Sequence, residues 1–210
     1  MSFDPALPQD SVDRRVAAGH RHGERTLDVT LTRTFPVSRQ RLWEVLTTPD
    51  RIAQWFLPVR GALTLGGRYQ LEGNAGGDIV SCEPSARLGL TWEFGDDVSW
   101  VELALDDYSP GSRLTLTHAS RPSSHWSEYG PGALGVGWEL ALLALSRHLA
   151  GEQRLDEDAF TTSAEGQALI TRSSEGWGQA SLAFGTDATE AQAATHRTTA
   201  FYTGVSVDTG

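Results

Sequence analysis

The chain contains no lysine: all 17 of its basic residues are arginine. A Schiff base with pyridoxal phosphate or a carbonyl substrate needs a lysine amine, and a P-loop needs one too, so both chemistries are excluded. Cysteine is nearly as scarce. Cys82 stands alone, which excludes an intramolecular disulfide and fits a reducing compartment. No apolar run approaches the roughly 18 residues of a membrane span, and the opening MSFDPALPQD lacks the basic-then-apolar order of a secretory signal. The expected location is the cytoplasm, with no membrane partner. Positive charge is short overall: a formal net charge of −10 argues against a nucleic-acid surface. No GxSxG or HExxH motif occurs, so neither a nucleophile elbow nor a zinc-protease helix is supported.

What is present is an ordinary globular composition, 39% hydrophobic and 21% charged over 210 residues. That suits one domain with room for an accessory piece. The stretch Pro131–Ala150 (PGALGVGWELALLALSRHLA) organises the rest. Pro131 suits a first helical position and Gly151 a left-handed cap, which predicts a helix of roughly 30 Å. Leu134, Trp138, Ala141, Leu142, Leu145 and Leu149 form one apolar stripe, and Val136, Leu140 and Leu143 a second. Such a helix needs cover on more than one side.

Residues 1–25 are polar, carry Pro5 and Pro8, and read as a mobile arm; His20 and His22 there are a weak metal signal. Thr26–Phe35 alternates like a half-buried strand. Ser38 can cap a helix over Arg39–Thr47, and Asp50–Phe56 reads as a second, short one. Six strands are then predicted: Arg60–Leu65, Gly67–Gly73, Asp78–Glu83, Arg87–Phe94, Ser99–Asp106 and Arg113–Ser120. With Thr26–Phe35 this makes about seven, joined by turns short enough for antiparallel pairing. The expected inward positions are Tyr69 and Leu71; Val80 and Cys82; Leu88, Leu90, Trp92 and Phe94; Val101, Leu103 and Leu105; and Leu114, Leu116 and His118. Ser123–Tyr129 reads as a loop. A twisted sheet of this width can curl around the long helix and leave a space between them.

The segment Thr32–Phe56 (TRTFPVSRQRLWEVLTTPDRIAQWF) resembles the opening of the START-like (SRPBCC) superfamily, and more closely the homologues of the activator of heat-shock-protein-90 ATPase. Three later pieces agree in order: Pro84 with Arg87–Trp92, Ser112–His118, and Gly137–Leu149. The resemblance covers about residues 26–150. It implies an α+β helix-grip fold, a curved antiparallel sheet around a long C-terminal helix with a hydrophobic cavity between them. It implies little about chemistry, because this fold hosts unrelated activities. The expected organisation is an arm at 1–25, a helix-grip domain at 26–151, and a helical extension at 152–210. Within the extension, Ala164–Phe184 and Ala188–Tyr202 are helical, the latter behind a capping box at Asp187 and Glu190. The extension is expected to cover the long helix or to pair with its copy in a homodimer.

Several candidates carry chemistry. Gly130, Gly132 and Gly135 match GxGxxG, but no strand precedes them and no parallel βαβ unit surrounds them, so they read as helix packing against the sheet, with Gly137. His118 is either an acid/base at the cavity or a hydrogen-bonded strand-end histidine. Glu139 either points into the cavity or lies on an exposed seam near Arg147. Cys82 is a reactive thiol or a small core residue. The reading that results is a binding protein for a hydrophobic or aromatic small molecule, without cofactor or metal, lined by Trp55, Phe56, Tyr69, Trp92, Leu103, His118, Trp138 and Leu142. The alternatives are a chaperone-linked regulator, which the resemblance implies, and a cofactor-free cyclase or hydrolase using His118.

Overall fold

The computed structural model describes residues 12–204. Two hairpin strands come first, β1 (Asp13–Arg21) and β2 (Glu24–Phe35), then two helices, α1 (Arg39–Thr47) and α2 (Pro49–Trp55). A meander follows: β3 (Val59–Gly61), β4 (Arg68–Leu71), β5 (Gly76–Glu83), β6 (Arg87–Phe94), β7 (Asp97–Tyr108) and β8 (Gly111–Ser120). Five helices complete the described residues: α3 (Ser124–Tyr129), α4 (Gly132–Leu149), α5 (Glu157–Thr162), α6 (Ala164–Phe184) and α7 (Ala188–Thr203). The strands form one antiparallel sheet of eight in the order β1-β2-β8-β7-β6-β5-β4-β3. With α4 gripped by that sheet, the architecture is the α+β helix-grip fold. No helix among the described residues is long and apolar enough to cross a membrane.

The eighth strand corrects the sequence reading. Residues 13–21, expected within a mobile arm, form an edge strand whose Val16 pairs with Val29 and is buried. His22 and Gly23 connect it to β2, with φ of 51° and 83°. A two-residue loop with both φ values positive has the twist that a hairpin requires. The remainder of the expected arm, residues 1–11, lies outside the described residues. Ser123–Tyr129 also differs from expectation: the Ser123 hydroxyl accepts from the Trp126 amide and starts the short helix α3.

Two inward assignments are likewise corrected. The β5–β6 register shifts between Ile79 and Ser81, so Ile79 is buried while Val80 is 54% exposed. A bulge re-aims every side chain beyond it, and Cys82 faces inward again. Phe94, at the last position of β6, is exposed. The other expected inward residues are buried or half-buried.

The extension packs on its own chain. α6 lies against β1 and α4, and α7 lies against α6. The α4 glycines, expected to let the helix approach the sheet, instead seat side chains of the extension. A Cβ on Gly135 would collide with the Trp177 ring, one on Gly132 would lie 2.9 Å from Thr198 Oγ1, and one on Gly137 would lie 2.8 Å from Tyr202 Oη. The Tyr202 hydroxyl donates to the carbonyl of Ala133 on α4, and burial pushes its pKa up to about 12. Trp177 and Thr198 are fully buried in these contacts.

Candidate ligand-binding cavity

Between α4, the α1–α2 pair and the inner face of the sheet lies a cavity of about 240 Å³. An apolar cavity of roughly 150 Å³ takes benzene, and drug-sized pockets begin near ~300 Å³. The sheet supplies Tyr69, Trp92 and Leu103, α4 supplies Trp138, Ala141 and Leu142, and α1 with α2 supplies Trp43, Ile52 and Trp55. Phe56, just after α2, completes that side. Ser38 and Pro49 fix these helices, the first by accepting from the Arg41 amide and the second as a first-turn proline.

Large rings keep the space open. Trp92 and Trp138 meet edge to face at 5.2 Å and 62°, and Trp55 and Phe56 stack at 5.4 Å and 25°. Leu90, Trp92, Leu103 and Trp138 face the core yet are only half-buried, because their outer atoms border empty space instead of one another.

The polar handles of Tyr69, Trp55 and Trp138 bond to protein groups. The Tyr69 hydroxyl donates to the Thr91 carbonyl at 2.8 Å, and burial raises its pKa. Trp55 Nε1 donates to the Val45 carbonyl at 3.2 Å, and Thr47 Oγ1 to the Trp43 carbonyl at 2.7 Å. Among the described residues, the wall carries no carboxylate, imidazole or guanidinium; Cys82 brings a free thiol. Such a surface can exclude water and hold apolar matter, but offers no acid/base pair.

Seven of the eight residues expected to line a cavity come together on this wall: Trp55, Phe56, Tyr69, Trp92, Leu103, Trp138 and Leu142. His118 does not. It is 3% exposed behind Trp138, whose Nε1 donates to His118 Nδ1 at 3.0 Å. The proton therefore sits on Nε2, which donates to Ser99 Oγ at 2.8 Å, and Ser99 donates on to the Trp92 carbonyl at 3.1 Å. Burial lowers the His118 pKa to about 4. With both nitrogens engaged and the ring neutral, His118 holds Trp138 and the Trp92 backbone in place behind the wall. Wall residues outside the expected set include Trp43, from α1, and Ile79, which the bulge turns inward.

Glu139 follows neither of its two readings. It is buried at 4% exposure, away from the cavity wall, and accepts from Arg14 Nε at 2.7 Å, Arg14 Nη2 at 2.8 Å and Trp177 Nε1 at 2.7 Å. The cluster joins β1, α4 and α6. Nearby Arg33 is also buried, which lowers its pKa against the opposing pull of Glu139. His22 lies over Trp100 at 5.6 Å, and among the described residues no group of three or more His, Cys, Asp or Glu could hold a metal ion.

Residues 36–150 match the family model described as "Activator of Hsp90 ATPase homolog 1-like protein". The crystal structure of CalU16 from Micromonospora echinospora is 29% identical, with a TM-score of 0.69 over 81% of this chain and 98% of that one. That span reaches beyond residues 36–150. DynU16, from the dynemicin biosynthetic locus, is 26% identical with a TM-score of 0.53 over 61% of this chain and 50% of that one. The Aha1 dimer of Colwellia psychrerythraea shares the fold at 13% identity, TM-score 0.51, over 58% of this chain and 95% of that one. No curated protein matches the chain in sequence.

Proposed function

The chain belongs to the family of activator of Hsp90 ATPase homolog 1-like proteins, and from that premise we propose that it binds an uncharged hydrophobic or aromatic small molecule between its sheet and α4. The observation that supports this is the wall itself: an apolar enclosure of about 240 Å³ in which the polar handles of Tyr69, Trp55 and Trp138 are bonded to protein groups. A buried charge without a partner costs several kcal/mol, so a ligand there is neutral where it is enclosed. The volume suits a molecule somewhat larger than benzene. The wall rings would contribute dispersion and edge-to-face contacts of about 0.5–1.5 kcal/mol each.

Tryptophan emission reads the binding directly, because four tryptophans line the space. Titration with neutral probes such as N-phenyl-1-naphthylamine and a panel of neutral lipids should give a saturable change. Leu142→Trp, which fills the cavity from α4, should abolish it. Silence across the panel, or a change that Leu142→Trp leaves intact, refutes the proposal.

A second reading, a chaperone-linked role, is favoured by the family description of residues 36–150. Mixing the chain with a heat-shock-protein-90 homologue and measuring ATP hydrolysis tests it: an unchanged rate removes it.

A further inference from the structure

We propose that Arg154, in the link between α4 and α5, is a positioning residue that latches the cavity mouth by holding Phe56, so that ligand exchange proceeds through its release. The inference rests on the cavity reading above. Phe56 is a half-buried wall residue, and Pro84, also on the wall, is exposed, so the enclosure reaches the surface. Phe56 lies at the surface end of the enclosure, since the solvent-exposed Arg154 side chain reaches its carbonyl.

The chain on either side of Phe56 is anchored. Trp55 is buried and bonded to the Val45 carbonyl of α1, and the Pro58 carbonyl accepts from the Glu72 amide. Between these points the Phe56 amide closes the last turn of α2 by donating to the Ile52 carbonyl. The Phe56 carbonyl, at the non-helical C-cap of α2, accepts from no backbone amide among the described residues and takes a donor from elsewhere. Arg154 supplies it: Nη2 donates to the Phe56 carbonyl at 2.7 Å and Nη1 to the Ala53 carbonyl at 3.5 Å. A guanidinium at a helix C-terminus satisfies orphan carbonyls and opposes the negative end of the helix dipole. The donor comes from a solvent-exposed side chain. The bond is therefore short but weak enough to open often, unlike the buried bonds of Trp55 and Trp138.

If the latch releases, the Trp55 anchor stays and Phe56 with Leu57 moves as a short flap. The extension would thereby control access without contributing to the wall, since among the described residues none beyond Leu142 appears on it. Losing one exposed, charge-assisted hydrogen bond corresponds to a roughly three- to tenfold rise in the open population.

The test uses the full chain and N-phenyl-1-naphthylamine in stopped-flow mixing, with amide hydrogen exchange measured on the same samples. Arg154→Ala should raise association and dissociation rates together by about three- to tenfold while leaving Kd within about twofold. Arg154→Lys, which keeps the charge but not the fork of donors, should fall between. Exchange of the Phe56 amide, bonded to the Ile52 carbonyl, should quicken in Arg154→Ala, while exchange in α4 stays as it was. Unchanged rates with the probe still bound would overturn the latch and leave the cavity reading standing. So would a lower melting temperature with unchanged rates, which marks a merely structural cap. If wild type binds no probe, the cavity reading fails; quickened exchange at Phe56 still supports a mobile flap, and unchanged exchange overturns it.

Discussion

Glu139→Gln tests whether the buried ionic cluster holds the C-terminal extension to the body of the fold. The substitution conserves volume but removes the charge that faces Arg14, whose side chain is 15% exposed against 4% for Glu139. Removing one partner of a buried pair costs about 3–5 kcal/mol, because the other charge stays buried and uncompensated. Here some solvent reaches Arg14, and the amide oxygen still accepts one bond, so the expected loss is near the lower end, about 3 kcal/mol. At ~2–4 °C per kcal/mol for a chain of this size, the melting temperature should fall by roughly 6–12 °C. Urea unfolding at neutral pH measures the free energy, and limited proteolysis near residues 150–156 reports whether the extension detaches first. The double variant Arg14→Met, Glu139→Leu removes both charges of the pair but strands Trp177 Nε1 and leaves buried Arg33 without the pull of Glu139, so it should lie about 2–3 kcal/mol below wild type. A loss under about 1 kcal/mol for Glu139→Gln, or a double variant as unstable as the sum of its singles, would refute the reasoning.

Two further outcomes are expected. His118 is neutral in the fold, with a pKa of about 4 against the ordinary 6.5, so between those values the unfolded chain binds the extra proton. Its contribution is fully present above pH 6.5 and is lost as pH falls toward 4, on the order of 3 kcal/mol in all. Stability measured across that window should slope in wild type and flatten in His118→Gln; parallel curves would contradict the assignment. Gly135→Ala places a methyl group inside the Trp177 ring. It should cost about 1–3 kcal/mol by overpacking and expose the 150–156 link to protease, whereas wild-type resistance would show that α6 can step aside.

Much of the fold is legible because it is written in local periodicity. β6 runs from Arg87 to Phe94 and α1 from Arg39 to Thr47, as their patterns predict, and Asp187 caps α7. What escapes notice is set by partners far along the chain. DRRVAAGHR has no clean alternation; it becomes a strand because β2 pairs with it, α6 covers it and Glu139, 125 residues away, neutralises Arg14. For the same reason Glu139 was misplaced: its partner lay in a segment read as an arm. The cavity wall was readable as aromatic residues on inward positions of a curved sheet. His118 obeyed that pattern too, but α4 brings Trp138 across it, and that contact is invisible to periodicity. The bulge at Ile79–Ser81 left no signal in a segment whose competing faces differ little.

The donors of Tyr69, Trp55 and Trp138 are tied to Thr91, Val45 and His118. A site of this kind recognises its guest by contour. Each added or missing methylene changes affinity by about 1–3 kcal/mol, yet a guest that merely gains a hydroxyl is resisted only about a hundredfold. Affinities across a panel of congeners should therefore rank by fit and by apolar area, with polar substituents tolerated wherever they can reach the mouth. Such a protein takes a whole class of related molecules instead of a single one.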